Sequence, residues 1–379
     1  MGLKARNLAP KDRFVIIMAG GKGERFWPVS REKTPKQLIT LIGDQSFLQQ
    51  AVGRVSPIVP AENIFVITNQ VQAAEVRRQL PQLPKSNVVA EPCGRDTCAA
   101  VTLGAALVGA RSSKGVMAVL PADHVIPNEK AFQRVLLDSL NLAAQQSVIV
   151  TIGIKPTEPA TGYGYIKLAE LMPRPVGMNP AQTIFYRAEL FVEKPPLEKA
   201  VEYLASGQYR WNAGMFIWSH ATVAAGLQLH QPEMFAASQR WMAAAPSLIK
   251  LARLLATEYP HLPKISIDYA LLEHAKNVVL ADGAFAWDDL GAWNALARHL
   301  PADAHGNCVA ADFIGVDAAR NIIFDARTRK RTPIAVVGLN DVIVVQTDDT
   351  LLLAHKSESQ KIKELVKKLA ADPRLKGLV

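Results

Sequence analysis

The chain has 379 residues, of which 49% are apolar and 20% charged, and its formal net charge is +9. That length suits one large domain and a smaller one, and the apolar share excludes a disordered chain. The basic balance calls for an anionic partner, but the cations are scattered and not interleaved with aromatics, which argues for an anionic small molecule and against nucleic acid.

Residues 1–12 read as an N-terminal extension without a hydrophobic signal core. Gly2 has Arg6 where a myristoylation site wants Ser or Thr. No stretch approaches the roughly 20 apolar residues of a membrane span, so no membrane partner is expected. Cys93, Cys98 and Cys308 make an odd count, and the C-x4-C spacing lacks a second pair. They read as free thiols of a reducing compartment, which implies a cytoplasmic protein.

From residue 13 the chain alternates. Strand-like runs occupy 14–18, 64–68, 87–90, 116–120 and 147–153. Helical stripes lie between them: Phe47, Leu48, Ala51, Val52 and Val55 share one face, as do Phe132, Val135, Leu136, Leu140 and Ala143. Continuous apolar strands with helical crossovers predict a mostly parallel, Rossmann-like sheet covered on both faces. Ligands bind such sheets beyond the carboxyl ends of the strands. Residues 157–196 are rich in Pro and Gly, including MPRPVGMNP, and suit loops and short antiparallel strands. Helical sequence follows over 221–255, then strand-like pieces at 277–280 and 285–287.

A boundary falls between 301 and 307, dividing a catalytic domain over 13–300 from a small β-rich domain over 306–379. The latter holds CVAADFIGVDA, NIIFDA, PIAVVGL, DVIVVQT and TLLLAHK, whose spacing predicts a β-roll or short β-helix. A terminal helix is expected over 357–369, with Ser357 and Gln360 as a capping box and Ile362, Leu365, Val366 and Leu369 as its apolar stripe.

The densest signal is 14–37, FVIIMAGGKGERFWPVSREKTPKQ. A buried strand opens into Ala19, Gly20, Gly21, Lys22 and Gly23, and Lys22, Arg25, Arg31, Lys33 and Lys36 supply cations. Bare backbone N–H groups beside such charges suit a nucleoside triphosphate. No Ser or Thr follows Lys22, which removes a Walker loop, and Phe26 stands where the third glycine of a dinucleotide fingerprint belongs. Asp123 in PADH and Asp288 and Asp289 in WDDLG offer carboxylates from distant loops, enough for Mg²⁺ over a triphosphate. Lys36 and Arg25, on a surface loop, are placed to stabilise charge on a phosphate. Glu193 and Lys194 pair a carboxylate that can accept hydroxyls with a cation that can hold a phosphate.

GGxGxRxWPxSxxxxPKQ resembles the signature of the sugar-nucleotide pyrophosphorylases, in the mannose-1-phosphate guanylyltransferase branch. EPCGRDT, PADH, GYGYI, FVEKP, WNAGMFIW, SIDYALLEHAKNV and WDDLGAW follow in order, so the resemblance spans nearly the whole chain. It implies a GT-A-like α/β fold and the conversion of GTP and mannose 1-phosphate to GDP-mannose and pyrophosphate with Mg²⁺. It places metal ligands at Asp123 and Asp289, nucleotide contacts at Ala19, Gly20, Gly21, Gly23, Glu91, Arg95 and Asp123, and catalytic cations at Arg25 and Lys36. Gly162, Glu193, Lys194 and Asn212 fall on the sugar phosphate, with Trp211 and Trp218 in packing roles. Two positions depart from the pattern: Asp96 replaces the Asn of E-P-x-G-R-N-T, and Asp288 replaces the Ser of W-S-D-V-G. Another sugar phosphate, another base, or an inactive nucleotide-sugar sensor stay open as alternatives. A homo-oligomer, specifically a dimer, is expected. Some relatives carry a fused isomerase domain, and the residues after Pro301 are too few for one, so the expected protein is monofunctional.

Overall fold

The computed structural model describes residues 8–21, 23–173, 183–329 and 332–379. Gly2, Arg6, Lys22 and residues 174–180 of MPRPVGMNP lie outside the described residues. The chain forms two compact units that are not contiguous in sequence. The first takes the chain up to Gly20, Ala51–Ala122 and Ile126–Trp287; the second takes Gly21–Gln50, Asp123–Val125 and Asp288–Val379.

The first unit is a nine-stranded sheet. Its strands are β1 (Arg13–Met18), β2 (Ile64–Asn69), β3 (Val88–Glu91), β4 (Val116–Pro121), β5 (Ile149–Ile154), β6 (Tyr165–Leu171), β7 (Phe185–Val192), β8 (Tyr209–Ser219) and β9 (Val278–Asp282), in the order β3-β2-β1-β4-β8-β5-β9-β7-β6. β1 pairs in parallel with β2 and β4, and β2 with β3. Phe14 to Ile17 are all buried, as strands covered on both faces require. α1 (Phe47–Val55), α2 (Ala73–Gln79), α3 (Asp96–Arg111) and α4 (Glu129–Gln145) supply the crossover helices; α5 (Leu197–Ser206), α6 (His220–His230), α7 (Pro232–Ala244) and α8 (Leu248–Glu258) follow. α3 is buried from Cys98 to Val108 and shares an apolar cluster with Trp218, Trp241 and Tyr259.

β6 and β7 are the antiparallel pair expected from residues 157–196. β8 was not foreseen: it runs antiparallel between β4 and β5. Its motif, WNAGMFIW, alternates poorly because Met215 to Trp218 are buried on both faces. Residues 285–287 form no strand. The chain leaves the sheet after β9, and Phe285 packs edge-on against Phe132 at 5.5 Å.

In the second unit the C-terminal strands are β10 (Cys308–Ala310), β11 (Phe313–Val316), β12 (Ile322–Asp325), β13 (Ile334–Val337), β14 (Val342–Gln346) and β15 (Leu351–His355). β10, β12 and β14 stack in parallel, as do β11 and β13, while β15 closes antiparallel on β14. This is a short β-helix. An asparagine ladder ties its turns: Asn307 Oδ1 accepts from Asn321 N at 2.9 Å, and Asn321 Oδ1 from Val342 N at 3.0 Å. The expected capping box does not form. Lys356–Lys361 is a 3-10 turn capped by His355, which accepts from Ser357 N, and α9 (Ile362–Ala371) begins only after it. Ile362 and Val366 join an apolar cluster with Phe26, Trp27, Phe47, Trp293, Phe324 and Ile343; Leu365 stays 37% exposed.

Candidate active site

The signature loop is hydrogen-bonded to itself. Gly23 has φ +62, and a Cβ there would lie 2.5 Å from the Lys36 backbone N, so only glycine lets the two segments close. Ser30 donates to the Gly23 carbonyl at 2.8 Å, and Gln37 to that of Gly21 at 3.0 Å. This closure buries Lys36, which is 5% exposed, against the rings of Phe26 and Phe47 at 5.7 and 5.6 Å. Lys36 is therefore not a surface-loop cation. Its ammonium donates to Asp123 Oδ2 at 2.9 Å and to the Asp289 carbonyl. Burial pushes the Asp123 acid up, but Lys36, and then His124, outweigh it and hold the group below the usual carboxylate range.

The two neighbouring aspartates of WDDLG face different work. Asp288 is 7% exposed and accepts from Arg298 Nε at 2.7 Å and Nη2 at 2.8 Å, from His299 at 2.7 Å and from Leu290 N at 2.8 Å. Burial opposes its ionisation, yet the bonds from His299 and Arg298 drive its pKa far below the ordinary value. The Asp289 carboxylate and Arg25 border one point instead. A Cβ on Gly291 would lie 3.3 Å from Asp289 Oδ2 and 3.5 Å from Arg25 Nη1. Arg25, Lys36, Asp123 and Asp289 thus belong to one unit with Gly21 and Gly23. Among the described residues, no group of three or more His, Cys, Asp or Glu could hold a metal ion.

The first unit carries Ala19, Gly20, Glu91, Arg95, Gly162, Glu193, Lys194 and Asn212. Thr68 donates to the Ala19 carbonyl at 3.0 Å, and a Cβ on Gly20 would lie 3.1 Å from Glu91 Oε2. Glu91 accepts from the Tyr259 hydroxyl, and burial pushes its acid up to about 7 against that bond. Arg95 is fastened to the Pro260 carbonyl. Asp96 opens α3 at φ +63 with its carboxylate on Thr97 N at 2.7 Å. Asn and Asp are the side chains that best tolerate this left-handed geometry, so the departure from Asn keeps the backbone requirement.

Near the residues expected to hold a sugar phosphate, a Cβ on Gly164 would strike Glu193 Oε2 at 2.7 Å, whereas Gly162 is open, with nothing within 4 Å. Glu193 holds Lys194, whose φ of +45 turns the chain out of β7. Tyr163 stands edge-on to Trp211 and Trp287 at 5.0 and 5.2 Å. Asn212 Oδ1 accepts from Thr151 at 3.1 Å and from Gly214 N at 3.1 Å, which turns its amide nitrogen to Asp268 at 3.2 Å. Asp268, which the fold sets beside Asn212, was not singled out from the sequence. Its acid is pushed up to about 6 by burial and then by the Glu193 charge. The signal was present in SIDYALLEH, where Asp268 follows Ile267 at the head of an otherwise apolar stretch, Tyr269 to Leu272.

A sheet whose first strand opens into a glycine turn, with a buried lysine set on an aspartate, defines an α/β protein that handles phosphorylated nucleotides. Comparison with known proteins narrows the class. Residues 14–305 match the nucleotidyl transferase family, and residues 311–369 match the MannoseP isomerase/GMP-like beta-helix domain. The chain belongs to the nucleotidyl transferase family. It is 36% identical over 365 residues to the xanthan biosynthesis protein XanB of Xanthomonas campestris, covering 96% of this chain and 74% of that one. It is 34% identical over 371 residues to a mannose-1-phosphate guanylyltransferase of Escherichia coli K12, covering 97% and 75%. A solved structure described as mannose-1-phosphate geranyltransferase from Thermus thermophilus superposes with a TM-score of 0.81 at 34% identity, over 94% of this chain and 99% of that one.

Proposed function

We propose that the protein is an enzyme that joins GTP and α-D-mannose 1-phosphate to give GDP-mannose and pyrophosphate. Relatives along nearly the full chain are named for that activity. The observation that carries the reading here is the buried Lys36 ammonium on Asp123 and on the Asp289 backbone.

The nucleophile is a phosphate oxygen of the sugar phosphate. It is already anionic and needs no strong base, so His124 receives no proton-transfer role. It attacks the α-phosphorus in line, a new P–O bond forms, and the bond to the pyrophosphate oxygen breaks. Charge grows on the leaving oxygens, where Lys36 and Arg25 stabilise it. Asp123 and Asp289 suit Mg²⁺: both offer hard oxygen ligands, and few protein ligands are needed beside phosphate oxygens. Asp288 is already fully engaged. Bound Mg²⁺ supplies charge neutralisation of the triphosphate.

Gly20, Gly21 and Gly23 bring the backbone near the phosphates. Glu91 suits guanine, whose N1–H and amino group are donors that a carboxyl oxygen accepts. Glu193 and Asp268 accept mannose hydroxyls, Asn212 orients Asp268, and Lys194 takes the sugar phosphate. Free Cys93, Cys98 and Cys308 support a cytoplasmic setting, and among the described residues no helix is long and apolar enough to cross a membrane. A homodimer fits the exposed apolar residues Ile314, Val316, Val337 and Leu353 of the β-helix.

The test is a matrix of nucleoside triphosphates against sugar 1-phosphates with Mg²⁺, read as pyrophosphate release. GTP with mannose 1-phosphate should lead by about tenfold or more in kcat/KM, about 1.4 kcal/mol. Preference for another pair overturns the substrates. Silence with retained binding overturns the enzyme in favour of a sensor.

A further inference from the structure

Arg25 is an exposed cation on a long side chain, yet one of its donors is already taken. Its Nη1 donates to Gln360 Oε1 at 3.2 Å, across 335 residues of sequence. Resting on the catalytic reading of Arg25 above, we propose that Gln360 is a positioning residue, through which the C-terminal piece aims the Arg25 guanidinium for phosphoryl transfer.

Both ends of this bond are held by packed backbone. Arg25 lies in the 3-10 turn Glu24–Phe26, and Phe26 is buried. Gln360 lies in the turn Lys356–Lys361, between buried Ser359 and buried Ile362. Phe26 and Trp27 share one apolar cluster with Ile362 and Val366. Trp27 Nε1 adds a bond to the Leu378 carbonyl at 2.7 Å. Both turns are therefore anchored to one apolar cluster, and the side-chain bond spans the gap between them.

The choice of an amide suits the task. A guanidinium has five donors in one rigid plane, so fixing one N–H orients the rest. A neutral acceptor fixes that N–H without adding a second carboxylate to the Asp289 one already near Arg25, so less of the charge is drawn away from an incoming phosphate. Without the contact, Arg25 must order itself as the transition state forms, and that ordering is lost from kcat. The Asp289 carboxylate also lies near Arg25, so an aimed guanidinium keeps its place beside a proposed metal ligand. No motif word contains Gln360, and its tie to the signature loop exists only in the folded chain.

The experiment is a double-mutant cycle on the full chain, with kcat, both KM values and melting temperature measured for each protein. Gln360→Met keeps the length and removes the acceptor. It should lower kcat about tenfold, with the KM for mannose 1-phosphate and the melting temperature unchanged. In an Arg25→Ala background the same change should have no further effect. Gln360→Glu, which restores an acceptor but adds a competing charge, should recover kcat only in part, to a value between those of Gln360→Met and wild type. Wild-type kcat in Gln360→Met, beside a slow Arg25→Ala, overturns the positioning role alone. So do multiplicative losses in the double variant, or a loss that tracks a lowered melting temperature. A fully active Arg25→Ala overturns the catalytic reading of Arg25, and this proposal with it.

Discussion

Lys36 lies 2.9 Å from the Asp123 carboxylate, although 87 residues separate them in sequence. That contact couples the glycine-loop word to PADH inside one compact unit. Lys36→Met should lower kcat by roughly 10²-fold or more, the scale of a lost transition-state contact. It should also cost stability, about 1–3 kcal/mol, because Asp123 loses its partner and the aromatic sandwich loses its cation. Arg25→Ala should lower kcat similarly but leave the melting temperature unchanged, since Arg25 is exposed. Near-wild-type kcat in either variant refutes its catalytic role.

Asp288 and Asp289 should separate cleanly. Asp289→Asn should raise the Mg²⁺ requirement with little change in melting temperature. Asp288→Asn should do the reverse: it weakens the hold on Arg298, His299 and Leu290 N and should cost about 2 kcal/mol, the half-exposed Arg298 keeping the loss below that of a fully buried pair. A larger Mg²⁺ effect at 288 than at 289 would reverse the two roles.

The strands were legible in sequence where burial on both faces made the runs continuous, as in β1, β2 and β4. β8 was not, because Asn212 and Gly214 interrupt its apolar run and leave only Met215 to Trp218 continuous. The motif words also gave the loop residues, but not their state. Burial of Lys36 depends on Phe26 and Phe47 closing over it, and Asp288 is claimed by Arg298 and His299, ten and eleven residues later. Pairings of this kind are set by tertiary packing, which local spacing does not encode. The division into units was hidden for the same reason: residues 21–50 share an apolar cluster with the C-terminal β-helix, although a sheet strand precedes them.

Glu91 and Asp268 predict a pH dependence. Their acids stand at about 7 and about 6 in the fold, against ordinary values of 4.5 and 3.8. The folded chain therefore holds protons that the unfolded chain has released. The stability they contribute is complete below about pH 4 and is lost as pH rises through 6 and 7, on the order of 3 kcal/mol for each. Melting temperature should fall between pH 5 and 8 (a range spanning both acids), and Glu91→Gln with Asp268→Asn should flatten the profile. An equally steep profile in the double variant would contradict these assignments.

The sugar side makes a kinetic prediction. Lys194→Ala and Asp268→Asn should raise KM for mannose 1-phosphate by about tenfold while leaving KM for GTP nearly unchanged. An equal rise for both substrates would move Lys194 to the triphosphate.

Removing the C-terminal piece should do more than shorten the chain. A protein ending near Leu300 would strip Ile322, Phe324, Ile343 and Ile362 from the cluster that holds Phe26, Trp27 and Trp293. The exposed apolar surface should lower solubility, and the loosened signature loop should abolish activity. Unchanged light scattering, melting temperature and turnover in the shortened protein would contradict this.

The proposed chemical step is attack by the sugar phosphate on the α-phosphorus of GTP. It is tested most directly with mannose 1-phosphate carrying ¹⁸O in its three non-bridging oxygens, with products weighed by mass spectrometry. GDP-mannose should retain all three labels, and pyrophosphate should carry none. Label in the pyrophosphate, loss of label from the sugar nucleotide, or no GDP-mannose at all would contradict it.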